Sequence, residues 1–428
     1  MKTRAGRLRA LCALALTAAL CQPAAAAEPA QPRALGLADC YRMALKQSEE
    51  IALRAEPINE AEGRFLQAFS GVLPKISFSS VDKWQDGDGG SARHLPERKF
   101  SLSQPLFSGF KEFAALRGSK SEKELRRLEK ERAEQLLLLD VSDAFHLVIE
   151  QREDLRVLEA IRQTLRRRDE ELESRERIGR SRPSERVAVQ AQLYRVESDW
   201  ELAQSQEALA AQLLGFLTGL DAIGDLQEPG PSLPAAQPEE SYLAQAAARA
   251  DVKAAEQALE LSRQRLKAAR AGFFPTVDVD GNYYVQRSGT AKDVAWDASL
   301  NVDVPLFEGG RTRGQNKEAE SLLRQAEIRL QRARRTALHD IRDAYTQYDG
   351  TVARVKALTK ALEATEESYQ LEEQEYRLSL VNNLEVLAAL QTLQDARRDL
   401  INLLYEAHRA YWKLRTAAGE PVPFGTAS

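Results

Sequence analysis

Four histidines are the side chains most able to bind metal ions or to move protons near neutral pH. They are His94, His146, His339 and His408, and no two have the spacing of a metal-binding motif. We expect each to lie in a loop or on a helix surface. They indicate neither a metal centre nor a general base.

Two short segments resemble ligand-binding loops, and both depart from the pattern. Asp86-Gly-Asp88-Gly-Gly-Ser, with Glu97, begins like a calcium loop. Its fifth and sixth positions are Gly and Ser, where a calcium loop has an acid and a Gly. An extracellular turn fits this segment better. Gly118-Ser-Lys120 lacks the glycine spacing of a phosphate loop. With no acid, base and nucleophile grouped together, the sequence predicts a protein without enzymatic activity, cofactor or metal.

The most informative segment is a predicted strand between Val294 and Gly310. Side chains alternate between the two faces of a strand. One face is apolar here and contains Val294, Trp296, Ala298, Leu300, Val302 and Val304. The other face carries the carboxylates and amides and contains Ala295, Asp297, Ser299, Asn301 and Asp303. Its length of about ten residues suffices to cross a bilayer at a tilt.

A second strand precedes it and has the same two-faced character. It covers 276–286 and is joined to the first by the polar loop 287–293, which predicts a hairpin. We assign a lipid-facing surface to the apolar positions of both strands: Val277, Val279, Val294, Trp296, Leu300 and Val302. A half-buried strand of a soluble sheet would show the same alternation.

The hairpin occurs twice in the chain. Leu73-Pro74-Lys75-Ile76 opens the first copy, and Phe274-Pro275-Thr276-Val277 opens the second, 201 positions later. Pro105-Leu106-Phe107 closes the first, and Pro305-Leu306-Phe307 closes the second, 200 positions later. The chain therefore contains two copies of one unit. We place the first repeat at 28–218 with hairpin 75–107, a linker at 219–239, the second repeat at 240–418 with hairpin 276–307, and a tail at 419–428.

Residues 1–27 have the pattern of a secretory signal peptide: a basic start, an apolar run and a small-residue cleavage site. A membrane anchor would need a longer apolar run. Cys21 allows a lipoprotein signal, although Leu20 is larger than the residue such signals have before the cysteine. Loss of four cations with this peptide lowers the net charge from −4 to −8, which argues against a nucleic-acid partner. Cys40 then remains as the single cysteine.

The rest of the chain predicts helices, and several carry coiled-coil spacing. An apolar 4-3 rhythm from Ile341 to Tyr369 predicts left-handed supercoiling. The last helix has two apolar stripes, as expected for a helix with two neighbours or for a bundle helix with one wide apolar face. The predicted helices are 37–72, interrupted near Pro57, and 110–178, 184–218, 240–271, 312–378 and 384–418.

Four strands cannot close a membrane barrel, because the smallest known barrel has eight. An open sheet in lipid would leave backbone groups unpaired along its edges. Transmembrane hairpins therefore require several subunits to share one barrel. Aromatic residues at both strand ends fit the two membrane interfaces, although they could also close the ends of a soluble sheet.

The order of these elements resembles the TolC-like outer membrane efflux proteins. The resemblance rests on the signal peptide, the duplicated hairpin motifs and the segment from Tyr376 to Leu387, and it covers essentially the whole mature chain. It implies a mainly α homotrimer with long coiled-coil helices. Its twelve-stranded barrel would lie in the outer membrane of a Gram-negative bacterium, above a periplasmic tunnel of twelve helices. It further implies an exit duct for efflux or type I secretion, with a periplasmic adaptor and an RND-type or ABC-type inner-membrane transporter.

The resemblance also assigns roles to residues at the far end of the tunnel. The two turns that would contact the adaptor contain Ile178, Gly179, Arg180 and Ser181, and Leu378, Ser379, Leu380 and Val381. Glu385 and Tyr376 match gate positions, and Glu185 is the equivalent acid in the first repeat. Val381 and Ala388 stand where the family pattern has a latch arginine and a second acid, so the latch is not intact. Both glutamates could instead stabilise the first turn of a helix.

A periplasmic coiled-coil adaptor or scaffold is the alternative function. Such a protein would also be secreted, helical and rich in heptads. It would have one helical hairpin flanked by soluble β-domains, whereas this chain has two membrane-length β-hairpins in duplicated units.

Overall fold

The computed structural model describes residues 34–86, 92–227, 230, 232–289 and 291–424. The predicted signal peptide, with Cys21, lies outside the described residues, and so does most of the calcium-like segment. The helices are α1 (Leu37–Gln47), α2 (Glu49–Ser70), α3 (Lys111–Arg177), α4 (Pro183–Thr218), α5 (Glu239–Gln245), α6 (Ala250–Arg270), α7 (Arg311–Arg377) and α8 (Asn383–Ala418). The strands are β1 (Lys75–Asp86), β2 (Ala92–Ser108), β3 (Thr276–Gln286) and β4 (Trp296–Asp303).

Two long helices, α3 and α7, form the frame of the molecule. Each has 67 residues, which corresponds to roughly 100 Å. In the half nearer the strands the packing order is α2–α3–α6–α7, and in the far half it is α4–α3–α8–α7. In each half, α3 therefore lies between two shorter helices, whereas α7 has one shorter neighbour. Within the chain, α7 lies at one edge of both halves, and α2 and α4 lie at the other.

The core follows the helix seams. Leu158, Leu165 and Leu172 are buried at seven-residue intervals where α3 packs on α4, as a left-handed coiled coil requires. In α7, Ile341 and Tyr348 of the predicted rhythm are buried. Thr359 is exposed and Leu358 is half-buried, so the seam shifts by one residue from the predicted position there.

Two helix breaks differ from the prediction. The first break lies at Ser48 rather than near Pro57, which is inside α2. Ser48 accepts a hydrogen bond from the Ile51 backbone N–H at 3.3 Å and so caps α2, whereas Pro57 removes only one interior donor. The predicted helix 240–271 is also divided, at Arg249. This arginine is buried and pairs with Asp251 at 2.7 Å and Asp340 at 3.1 Å.

The surface location expected for His146 and His408 is wrong. His146 on α3 is 2% exposed and His408 on α8 is 6% exposed. Their rings stack at 5.5 Å between centroids, and His146 Nδ1 donates to the Ser142 carbonyl at 2.7 Å. Burial lowers the pKa of His146 to about 3, so the ring is neutral at ordinary pH. The two imidazoles are packing residues between the repeats, because each lies where α3 and α8 meet.

The four strands form one antiparallel sheet in the order β1-β2-β3-β4. β2 pairs with β3 and so joins the two hairpins, with irregularities at Arg98/Lys99 and Pro105/Phe107. The tail returns to the helices, where Phe424 contacts Tyr41 and Trp412 at 6.3 and 5.7 Å between ring centroids.

Candidate functional site

The sheet has one apolar face and one polar face. Val277 lies opposite Val302, Val279 opposite Leu300, and Tyr283 opposite Trp296. Phe100 continues this face onto the first hairpin, because it lies opposite both Tyr283 and Phe78. Trp296, Leu300 and Val302 are 59–69% exposed, Val294 just before β4 is 41% exposed, and Val277 and Val279 are half-buried. An exposed apolar patch this large marks a membrane or protein interface.

The opposite face satisfies its polar groups across the strands. Asn282 donates to Asp297 at 2.8 Å, and Asn301 donates to Asp280 at 2.6 Å. Ser101 donates to Asn282 at 2.7 Å and thereby connects the two hairpins. The face with the carboxylates and amides is thus suited to contact water. The orientation of the apolar face toward lipid remains a prediction.

The two tip turns, 178–182 and 378–382, have the same backbone. Arg180 N–H donates to the Arg175 carbonyl at 2.8 Å, and Leu380 N–H donates to the Glu375 carbonyl at 2.9 Å. The residue before each donor is left-handed, Gly179 with φ 72° and Ser379 with φ 64°. This pattern is a Schellman motif, which ends a helix sharply. The motif turns the chain back on itself at each tip.

The tips expose apolar side chains at the end of the helices. Ile178, Leu378 and Leu380 are 65–72% exposed. Arg180 is exposed, and Ser181 and Val381 are half-buried. Such short, rigid and partly apolar turns have the character of a protein contact. The adaptor-contact assignment remains a prediction.

Tyr376 lies in a cluster that connects the two repeats. Its ring is 8% exposed, with the Arg168 guanidinium carbon at 4.2 Å and that of Arg175 at 5.0 Å from its centroid. Arg168 Nε also donates to Asn383 Oδ1 at 2.9 Å. Glu171 pairs with Arg175 at 2.6 Å. The cluster therefore joins α3 to the ends of α7 and α8 by cation–π and hydrogen-bond contacts.

Glu385 lies in the first turn of α8 and completes a capping box. Its carboxylate accepts from the Asn382 N–H at 2.8 Å, and Asn382 Oδ1 accepts from Leu384 N–H at 2.9 Å and from Glu385 N–H at 3.3 Å. Glu185 holds the other turn differently, by accepting from Ser181 Oγ at 2.8 Å. Both glutamates thus have a local structural role, and their role at the gate remains a prediction.

Among the described residues, no three His, Cys, Asp or Glu side chains are placed to bind a metal together. None of the described helices has the length and apolar content required to cross a membrane.

Comparisons with known proteins agree on one family. The model of the family "Outer membrane efflux protein" matches residues 243–420. Outer membrane protein TolC of Vibrio cholerae is 23% identical over 398 residues, which cover 90% of each chain. Alkaline protease secretion protein AprF of Pseudomonas aeruginosa is 23% identical over 411 residues, covering 90% of this chain and 85% of AprF. The crystal structure of the outer membrane protein VceC from Vibrio cholerae superposes with a TM-score of 0.80 at 22% identity, covering 90% of this chain and 96% of VceC.

These matches support a TolC-like outer membrane efflux protein. The predicted fold class, mainly helical with four antiparallel strands per chain, is confirmed. The predicted location, the outer membrane of a Gram-negative bacterium, is confirmed as well. The family and its structural neighbours are channel proteins.

As a TolC-like protein, the chain holds its tip together with residues that the sequence did not reveal. The resemblance places Val381 where the family pattern has a latch arginine, and the sequence pointed to no substitute. Arg168 and Arg175 supply two guanidinium groups from the other repeat. They are seven residues apart on α3 and so lie on one helix face, which is the only sequence signal that could have indicated them.

Proposed function

We propose that the protein is the outer membrane exit duct of an efflux or type I secretion system and works as a homotrimer. The observation that carries the proposal is that the described residues of a single chain leave both edges of the sheet and both edges of the helix layer open. Copies of the chain can close all of these edges at once.

The sheet supports a shared barrel. β1 and β4 are the edge strands, and in the part of the chain that the structure describes each is paired on one side only. Unpaired backbone groups in lipid cost several kcal/mol each, so the edges must pair between subunits. Three copies supply twelve strands, an even number within the range of membrane barrels.

The helices support the same ring. On the open side of α4, a stripe of large residues is more than half exposed: Val187, Tyr194, Leu202, Leu209 and Phe216. On the open side of α7, a stripe of small residues is exposed: Gly350, Ala353, Ala357, Ala361 and Ala364. The stripe on α4 has a spacing of about seven residues and that on α7 alternates between three and four, as coiled-coil seams do. Large side chains of one copy fit against the small residues of the next.

The register of the two stripes matches as well. Because α4 starts at a tip turn and α7 ends at one, the two helices run antiparallel in the ring. Leu202 lies 19 residues after the start of α4, and Ala357 lies 20 residues before the end of α7. The two residues are therefore at nearly equal distance from the tips, and we pair them across the subunit boundary.

The relatives support two further partners. The tip turns at the end of the tunnel dock a periplasmic adaptor, and an RND-type or ABC-type inner-membrane transporter supplies the energy. The protein itself is a conduit without a reaction to catalyse or a cofactor. The name of AprF refers to secretion of a protease, whereas the family name refers to efflux, so both types of cargo fit the same duct.

Cysteine cross-linking tests the trimer directly. Leu202→Cys with Ala357→Cys should give disulfide-linked dimers and trimers on non-reducing gels, whereas each single variant should give monomers. Cys40 does not interfere, because it is buried and burial raises the pKa of its thiol to about 11. Leu202→Cys with Arg342→Cys is the matched control, since Arg342 lies roughly 22 Å further along α7 than Ala357. Absence of cross-links in correctly localised protein would contradict the seam.

Planar-bilayer recording tests the duct itself. The purified trimer should form pores in the bilayer. Conductance that is absent in a correctly assembled trimer would contradict the proposed function.

A further inference from the structure

Exposed apolar residues form a collar where the strands meet the helices. Phe110, Phe273, Phe274, Leu306 and Phe307 are 51–92% exposed, and all lie outside the strands. They adjoin the ends of β2, β3 and β4, so the collar continues the apolar surface of the sheet. Aromatic residues at this level are typical of a membrane interface.

A cavity of about 540 Å³ lies beside this collar, between the end of α6 and the start of α7. Phe273 and Phe274 line its side nearer the sheet, and three cations line the side nearer the helices: Arg270, Arg313 and Lys317. Arg313 and Lys317 are one turn apart on α7 and so share a face. The part of the cavity nearer the sheet is therefore apolar, and the part nearer the helices is basic.

The basic part is only partly neutralised. Arg270 pairs with Glu320, which also lines the cavity, at 3.6 Å. Among the described residues, no carboxylate lies within 4.0 Å of the charged groups of Arg313 or Lys317. Three cations against one acid leave a net positive charge in an open cavity.

We propose that this cavity binds the headgroup of an anionic phospholipid from the leaflet nearer the helices. The inference rests on the proposed function, because it requires the sheet to lie in the membrane. The phosphate would accept hydrogen bonds from Arg313 and Lys317, and an acyl chain would lie over Phe273 and Phe274. A membrane has the same order along its normal, with acyl chains first and charged headgroups next. A lipid, unlike a free anion, uses both parts of the cavity.

Native mass spectrometry of the detergent-purified trimer tests the proposal. We expect the wild type to retain added phosphatidylglycerol in preference to phosphatidylcholine. Arg270→Gln/Arg313→Gln/Lys317→Gln should lose this preference, with affinity reduced roughly fivefold for each charge removed. Lys317→Gln alone should show the first fivefold step, which provides a milder variant if the triple variant assembles poorly.

The control is Arg332→Gln/Arg335→Gln/Arg342→Gln. These three arginines are exposed on α7 further from the sheet, and their removal changes the net charge equally. This variant should bind phosphatidylglycerol as the wild type does. If both triple variants lost the preference for phosphatidylglycerol equally, net charge alone would explain the effect. That result would overturn the assignment of the lipid to this cavity. Equal retention of the two lipids by the wild type would overturn it as well.

Two further measurements separate the possible failures. Inorganic phosphate at millimolar concentration should not displace the lipid; full displacement would identify a free-anion site and overturn the lipid proposal. Conductance of the wild-type trimer in phosphatidylcholine bilayers reports on the duct alone. Pore formation without phosphatidylglycerol selectivity would reject the lipid site and leave the proposed function intact, whereas absence of pores would count against the function.

Discussion

The guanidinium of Arg168 lies 4.2 Å from the centre of the Tyr376 ring, although 208 positions separate the two residues. Arg168 belongs to the first repeat and Tyr376 to the second, so this contact fastens the two helical hairpins together close to their tips. A cation above a partly desolvated ring contributes about 0.5–2 kcal/mol. The contact therefore stabilises the packing of the first repeat against the second near the tips.

Tyr376→Leu should loosen the tips, because leucine offers no ring face to Arg168 or Arg175. We expect higher single-channel conductance in planar bilayers than for the wild type. Tyr376→Phe is the matched control, since it keeps the ring and should keep the wild-type conductance. Equal conductance of all three proteins would show that the cluster does not restrain the tunnel end.

Ser379→Gly should stabilise the second tip turn. Ser379 is a non-glycine residue with positive φ, a conformation that costs L-residues about 1–2 kcal/mol. Gly179 holds the equivalent position in the first turn, and Gly179→Ser should destabilise that turn by a similar amount. Urea unfolding of the two variants should therefore shift in opposite directions from the wild type. Shifts of the same sign would contradict the equivalence of the two turns.

Leu300→Arg should impair assembly much more than Asn301→Arg. Leu300 lies on the apolar face opposite Val279, where an arginine near mid-membrane costs about 2–4 kcal/mol per subunit. Asn301 lies on the polar face beside Asp280, where an arginine gains an ion-pair partner. The amount of trimer in the outer-membrane fraction measures the difference. Similar yields from both variants would mean that the facing of the strands is wrong.

Glu385→Gln should weaken cation selectivity without loosening α8. Glutamine can still accept the hydrogen bond from the Asn382 N–H, so the variant removes the charge and keeps the capping box. Asn382→Ala makes the opposite change, because it removes the cap at a cost of about 1 kcal/mol and keeps the charge. Reversal potentials in salt gradients should shift for the first variant only. A shift limited to Asn382→Ala would assign Glu385 a purely structural role.

The His146–His408 pair should make the fold sensitive to acid. The pKa of His146 is about 3 in the folded protein and near 6.5 when unfolded. Between these values only the unfolded chain takes up the proton, so this group makes stability fall as the pH falls from 6.5. Burial raises the pKa of nearby Asp143 to about 6. Between the pKa of this carboxyl in the unfolded chain and pH 6, Asp143 makes stability rise as the pH falls.

Burial also lowers the pKa of His408, so His146→Gln removes only the contribution of His146 and leaves those of His408 and Asp143. The urea midpoint of the wild type should therefore fall more steeply between pH 7 and pH 5 than that of the variant. Parallel pH profiles for the two proteins would show that His146 does not titrate on unfolding.

The strands and long helices could be predicted because their patterns are local. Alternation from Val294 to Val304 and heptads around Ile341 report which face of each element is apolar, whatever the partner is. The break lies at Ser48 because its side chain caps the start of α2, whereas Pro57 removes a single backbone donor inside that helix.

Contacts between the repeats could not be predicted in the same way. His146 stacks on His408, and Arg168 covers Tyr376, across more than 200 positions of sequence. Nothing near His146 in the sequence indicates that α8 covers it, and each arginine of the run 166–168 is equally suited to a solvated surface. Only the order of helices in the folded layer decides which of them is enclosed.

Among the shorter helices, α2 and α6 lie in the half nearer the strands, and α4 and α8 lie in the far half. In contrast, α3 and α7 run through both halves without a break. Both tip-side short helices end at a left-handed glycine, α4 at Gly219 and α8 at Gly419. A Cβ added at Gly219 would come within 3.0 Å of the Gln47 side chain, and one added at Gly419 within 2.6 Å of the Arg249 side chain. Glycine at these two positions therefore allows both tip-side helices to end in close contact with the rest of the molecule.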